Sequence, residues 1–208
     1  MIFFALFLAS FTSLLSIANP FAAMPLFLAM TDGDTNEHRR QQALKASTYM
    51  VLILVVFLVG GNYIISFFGI SLEGIRIAGG LLIMKMAYSL LDPDVQGRKL
   101  TAAAHSEAYR KPDISFSPLA MPMLAGPGSI ALVLGLATQS SSVIDYSAVL
   151  LAIVLVALAS FGLLVISRRV TLMLGKTGMT ALTRMMGFIA LTIGVQFIIN
   201  GVRPIIGT

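Results

Sequence analysis

An all-α membrane protein of about six transmembrane helices, built as two inverted three-helix repeats with breaks in helices 1 and 4, is the fold class this sequence predicts. Three observations predict it. Of 208 residues, 57% are hydrophobic and only 11% charged, against about 25% charged in a soluble domain, so a globule of this composition could not cover its surface with polar groups. The apolar residues fall into six long runs, 2–30, 46–68, 75–91, 117–138, 146–166 and 181–200. The basic residues gather in alternate connections between those runs.

The first run is too long for the apolar region of a signal peptide, and the first basic residue is Arg39, so a retained membrane segment is expected. Between the third and fourth runs, residues 92–116 are rich in charge and small polar residues and read as a cytoplasmic linker. It separates a first three-helix repeat, 1–91, from a second, 117–208, within one membrane domain. Arg39, Arg40 and Lys45 occupy the first connection, Arg98, Lys99, Arg110 and Lys111 the linker, and Arg168, Arg169 and Lys176 the fifth connection. The connection before the third run and the one around Asp145 hold no Lys or Arg. Basic connections face the cytoplasm, so a multi-pass protein of the cell (inner) membrane with both termini outside is expected. Three spans per half force the halves into opposite orientation. Asn19-Pro20 and Met24-Pro25 in the first run echo Ser117-Pro118 and Met121-Pro122 in the fourth, and Arg76-Ile-Ala-Gly79 echoes Arg184-Met-Met-Gly187.

The first and fourth runs carry the most information. Proline removes a backbone donor and clashes with the carbonyl four residues back, and the residue before it is pushed out of helical geometry. Asn19-Pro20 and Gly126-Pro127 also resemble helix starts, a cap followed by proline at the first helical position. Helices are therefore expected to end near Ala18 and Ala125 and to restart at each proline. Backbone exposed by such breaks is costly against lipid, so it must be buried in protein or line a wet cavity. The restarted helices, at Asn19-Pro20-Phe21 and at Gly126-Pro127-Gly128-Ser129, would present the unpaired N–H groups of their first turns, a setting for an anion. Carbonyls of Ser16, Ile17, Ala18, Leu124 and Ala125 would accept from an ammonium or coordinate a cation. An amino-acid zwitterion fits that pattern, and so would other small anions. In the alternative reading, proline only kinks continuous helices.

All nine acids lie in connections or at the edges of runs. Glu73 is the nearest candidate for a coupled proton, though its position at i,i+3 favours a partner for Arg76. Arg76 and Arg184 open their spans, as gates on opposite sides of a cavity or as interfacial anchors. Thr192, Gln196 and Asn200 share one helix face that is expected to point inward, for inter-helix hydrogen bonds or substrate contact. Gly79, Gly80, Gly187 and Gly194 are expected to let helices approach closely, and Lys85 is expected to snorkel to the surface.

These motifs, Asn19-Pro20 to Pro25, Phe68-Gly-Ile-Ser71, Arg76-Ile-Ala-Gly-Gly80, Pro118-Leu-Ala-Met-Pro122 and Ala125-Gly-Pro-Gly128, resemble the MarC family along the whole chain. Its SnatA-type members are neutral amino-acid transporters. The resemblance implies a secondary transporter of glycine, alanine, serine or similar molecules, coupled to an ion, with the proton as the expected one. Efflux of, or a channel for, another small solute is the other reading. The chain has no cysteine and only His38 and His105, so thiolate chemistry is excluded; neither a metal nor another cofactor is expected. No nucleophile–base constellation, paired carboxylates or Walker-type loop lies in the runs, so neither an enzyme nor an ATP-driven pump is expected. The net charge of +5 reads as membrane topology, with lipid rather than nucleic acid as the partner.

Overall fold

The computed structural model describes residues 2–92 and 113–207. The linker cations Arg98, Lys99, Arg110 and Lys111 lie outside the described residues. The described chain is helical: α1 (Ile2–Ala18), α2 (Pro20–Met30), α3 (Asn36–Phe68), α4 (Leu72–Leu91), an irregular α5 (Ser115–Leu124), α6 (Pro127–Gln139), α7 (Val143–Val165) and α8 (Ser167–Ile206). Five segments among the described residues are long and apolar enough to cross a membrane, and the pair α5–α6, bent by 60° at its break, is a sixth if the two helices form one span rather than a re-entrant loop.

Local chemistry sets most boundaries. Thr35, Ser71 and Ser142 cap α3, α4 and α7 by accepting from the N–H three residues on, which satisfies one of the orphan donors of a first turn. Gly69 ends α3 at φ 62°, a left-handed conformation suited to glycine. Two helices overrun their apolar runs. α3 begins ten residues before residue 46, so Arg39, Arg40 and Lys45 ride on its first turns rather than in a loop. α8 begins at Ser167, so Arg168, Arg169 and Lys176 also sit on helix, which is interrupted at Gly175 (φ 62°, ψ −178°).

Packing is reciprocal. α4 lies along α8, and α3 along α7; α4 packs on α6 while α8 packs on α2, and α3 packs on α5 and α6 while α7 packs on α1 and α2. The core where they meet includes Ile17, Phe27, Ile83, Leu124, Leu132 and Ile153. Leu52, Val56, Val59, Phe67, Leu158 and Phe188 are exposed around the outside, as a lipid-facing surface requires.

The glycines of α4 and α8 meet as expected. A Cβ on Gly80 would lie 2.6 Å from the Gly194 carbonyl oxygen and 2.7 Å from Ile198 Cγ1, and one on Gly187 would lie 2.8 Å from Leu90 Cβ. These contacts run in opposite directions along the two helices, which are therefore antiparallel. In lipid such close backbone approach is a main source of helix association. Gly80→Ala should therefore destabilise the folded protein by about 1–3 kcal/mol through overpacking. Gly60→Ala, where the nearest atom is 3.9 Å away, should not; thermal unfolding of both variants in the same micelles checks the contrast.

The ends of the bundle are tied by polar contacts. At the basic end, Lys45 Nζ donates to Asp113 Oδ2 at 2.8 Å, and the Ile114 N–H donates to Gln42 Oε1 at 3.2 Å, fastening the start of α5 to α3. At the other end, Asn62 Nδ2 donates to the Tyr146 hydroxyl at 3.0 Å, which donates to the Ala137 carbonyl at 3.2 Å.

The Lys45 hydrogen bond, with the Ser115 hydroxyl as second donor, holds the Asp113 carboxyl down at about 2, from its ordinary 3.8. A depressed folded-state value stabilises the fold above the unfolded value and is lost as pH falls through the folded one. The gain in thermal midpoint over Asp113→Asn should therefore be full at pH 6 and vanish as pH falls from about 4 towards 2. Its size should be modest, because the Asp113 side chain is 45% exposed.

Candidate functional site

The first run is cut where Asn19 stands between α1 and α2, in the left-handed region at φ 38° and ψ 68°. Asparagine tolerates this conformation better than most residues. Its Oδ1 accepts from the Ala22 N–H at 3.3 Å, capping α2. An acceptor must face that N–H, so the amide nitrogen points elsewhere. That nitrogen is buried and has no hydrogen-bond partner among the described residues, and the residue is 2% exposed. A buried unpaired donor costs about 1–3 kcal/mol, a reason to look for what it is meant to meet.

On the other side of Asn19, the Asn19 N–H still closes on the Leu15 carbonyl at 3.0 Å. The next carbonyl, Ser16, would need an N–H from residue 20, which is proline. Ser16, Ile17 and Ala18 thus end α1 with carbonyls released from the ladder. The Ser16 hydroxyl is turned back onto the Thr12 carbonyl at 2.8 Å, so Ser16 contributes main chain rather than side chain.

The fourth run is cut more deeply. Within α5, Ser117 and Met121 are extended (ψ 124° and 123°), each before a proline, as the steric demand of the following ring dictates. α6 restarts at Gly126-Pro127 with no side-chain cap. Its N–H groups at Gly128 and Ser129 belong to the first turn, which has no intrahelical acceptors for them. The Leu124 carbonyl is occupied, accepting the Ser129 hydroxyl at 3.1 Å; Ala125 donates its own N–H to Ala120 at 2.8 Å.

The two breaks meet. A Cβ on Gly128 would lie 3.2 Å from Ile17 Cγ2 and 3.5 Å from Ile83 Cγ1. Ile17, Ala18, Asn19, Pro20, Leu124, Ala125, Gly126, Gly128 and Ser129 are buried, while Phe21 is half-buried and Pro127 exposed. Ile83 of α4, which closes this contact from the side, was not legible as a site residue; the neighbouring Gly79-Gly80 pair is the signal that α4 comes this close. From the break, α2 runs 11 residues to one end and α6 runs 13 residues to its own end, about 16 and 20 Å of helix.

The expected gating and coupling residues are not part of this meeting point. Arg76 lies seven residues from Ile83, about 10 Å along α4, and donates to the Asn200 carbonyl at 3.3 Å. The expected Glu73–Arg76 ion pair is not formed among the described residues; the guanidinium turns instead to the end of α8. Arg184 is exposed. The inward polar face of α8 is also corrected: Thr192, Gln196 and Asn200 are all exposed. α8 turns its glycine face to α4, which points this stripe outward, and Gln196 Nε2 donates along the stripe to Asn200 Oδ1 at 2.8 Å. Lys85 is exposed, free to reach the surface.

Residues 4–206 match the family described as MarC family integral membrane protein. A UPF0056 membrane protein of Aquifex aeolicus is 36% identical over 204 residues, covering 98% of this chain and 95% of the relative. One from Methanocaldococcus jannaschii is 37% identical, covering 95% and 96%. The UPF0056 inner membrane protein MarC of Escherichia coli is 37% identical over 205 residues, covering 94% and 93%. No solved structure matches the chain.

Proposed function

Since the chain belongs to the MarC family of integral membrane proteins, we propose that it is a secondary transporter of small neutral amino acids, of the SnatA type, and not an enzyme. The substrate carboxylate sits between the first turns of α2 and α6. There it accepts from Asn19 Nδ2 and the Gly128 and Ser129 N–H groups, at the positive ends of two helix dipoles. The released carbonyls of Ser16, Ile17 and Ala18 face the ammonium group. The observation that carries this reading is the buried, unpartnered amide nitrogen of Asn19 at the point where both interruptions touch. Tight packing at Gly128 favours glycine, alanine and serine over larger side chains.

The reciprocal packing of the two halves supports an inverted repeat, an architecture in which one half rocks against the other around a fixed site. The charge pattern supports a cytoplasmic basic end and termini outside, and the name of the Escherichia coli relative supports residence in the inner membrane. Protons are the coupling ion, with Glu73, half-buried in the first turn of α4, as their carrier. Purified protein in liposomes should take up labelled glycine or alanine with saturation, and an imposed pH gradient should drive accumulation. No saturable flux across a panel of neutral amino acids sinks the reading.

A further inference from the structure

A cleft of about 420 Å³ opens at the basic end of the bundle, lined by Leu28, Asp32, Gly33, Asp34, Arg39 and Arg168. Two of its four charges are already engaged. Arg39 donates from Nε to Thr31 Oγ1 at 3.2 Å and from Nη2 to the Thr31 carbonyl at 3.1 Å, locking the C-terminus of α2. Asp34 lies 3.8 Å from the His38 ring. Asp32 and Arg168 make no hydrogen bond or ion pair among the described residues. A free carboxylate and a free guanidinium thus line one cavity without closing on each other.

Resting on the transport reading, we propose that this cleft is a second binding station for zwitterionic α-amino acids, outside the central site. Arg168 takes the substrate carboxylate, for which the planar guanidinium offers paired donors. Asp32 takes the ammonium group, with Asp34 close by in the loop. Leu28 gives a short apolar side chain a surface to rest on. Gly33, at φ 82°, turns the chain so that both aspartates flank the opening. A simple anion or cation satisfies one pole and leaves the other unanswered, so the cleft selects molecules that carry both. Its position suits a station on the route: α2 carries Asn19 at one end and this cleft at the other, 11 residues apart, about 16 Å.

The chain contains no cysteine, so Leu28→Cys creates a single reporter in the full-length protein. Alanine should slow maleimide labelling of that cysteine several-fold, while acetate or methylamine alone should not. The protection should disappear with Arg168→Gln or Asp32→Asn, return in part with Arg168→Lys, and survive Asn19→Asp, which disables the central site. Protection that Arg168→Gln and Asp32→Asn leave intact overturns the station. So does an absence of protection in protein that transports alanine, and transport then stands. Protection without any flux supports the station and overturns the transport reading alone.

Discussion

Asn19→Asp should remove about 90% or more of saturable alanine uptake while the protein remains folded. The substitution separates two jobs of one side chain. Its Oδ1 caps α2 through the Ala22 N–H, and aspartate supplies the same acceptor at the same length. Aspartate also tolerates the left-handed backbone of residue 19, and its charge suits a helix N-terminus. What changes is the buried amide nitrogen, which becomes a second oxygen facing the substrate carboxylate. A donor worth about 1.5–3 kcal/mol to a charged group is lost and a repulsion replaces it, which together exceed the 1.4 kcal/mol of a tenfold effect. Asn19→Ala is the informative partner. It should lower uptake as well, but also destabilise the protein by about 0.5–2 kcal/mol through loss of the cap. Uptake by reconstituted variants, read beside their thermal midpoints, separates the two roles. Native uptake by the Asn19→Asp variant would remove Asn19 from the site.

Gly126→Ala should be the most damaging glycine-to-alanine change among the described residues. A Cβ at residue 126 would overlap the Pro122 carbonyl oxygen and lie 3.3 Å from its carbon. Both are main-chain atoms of α5, so no side chain can swing aside and the whole turn must be rebuilt. The expected loss is about 3 kcal/mol or more, the upper range for overpacking, with sharply reduced yield of folded protein. Gly128→Ala, only two residues on, should behave differently. Its Cβ meets the ends of Ile17 and Ile83 at 3.2 and 3.5 Å, and these side chains can give by a few tenths of an ångström. Folded protein should be recovered, with alanine uptake reduced several-fold because the methyl crowds the Gly128 N–H. Equal behaviour of the two variants, by size-exclusion profile and thermal midpoint, would contradict the geometry of the turn.

The interruptions were readable from sequence because their causes are local. Proline at 20 and 127 lacks the N–H the ladder needs, and Asn19 and Gly126 are residues that helices start from, so Ala18 and Ala125 mark ends without reference to the rest of the fold. The close helix approach at Gly80, Gly187 and Gly194 was readable for a similar reason, since small residues in a lipid-embedded helix have few other uses. The orientation of Thr192, Gln196 and Asn200 was not. Which side of α8 faces inward depends on where α4 lies, and the glycine stripe outcompeted the polar one for that contact. The Glu73–Arg76 pair also failed on tertiary grounds, because the end of α8 offers Arg76 the Asn200 carbonyl instead. The early starts of α3 and α8 escaped an apolar-run reading, since charged residues continue a helix as readily as apolar ones once it has left the bilayer. The extended residues Ser117 and Met121 inside α5 follow from their prolines. That the resulting segment packs on α3 as part of the bundle could be seen only in three dimensions.

The contact between substrate and main chain is the centre of this account, and solid-state NMR can measure it directly. With glycine labelled by 13C at the carboxyl carbon bound to 15N-labelled protein, dipolar dephasing should place that carbon within about 4 Å of Asn19 Nδ2 and of the Gly128 nitrogen, the spacing of a hydrogen-bonded carboxylate. Saturably bound glycine whose carboxyl carbon dephases with neither nitrogen would contradict it.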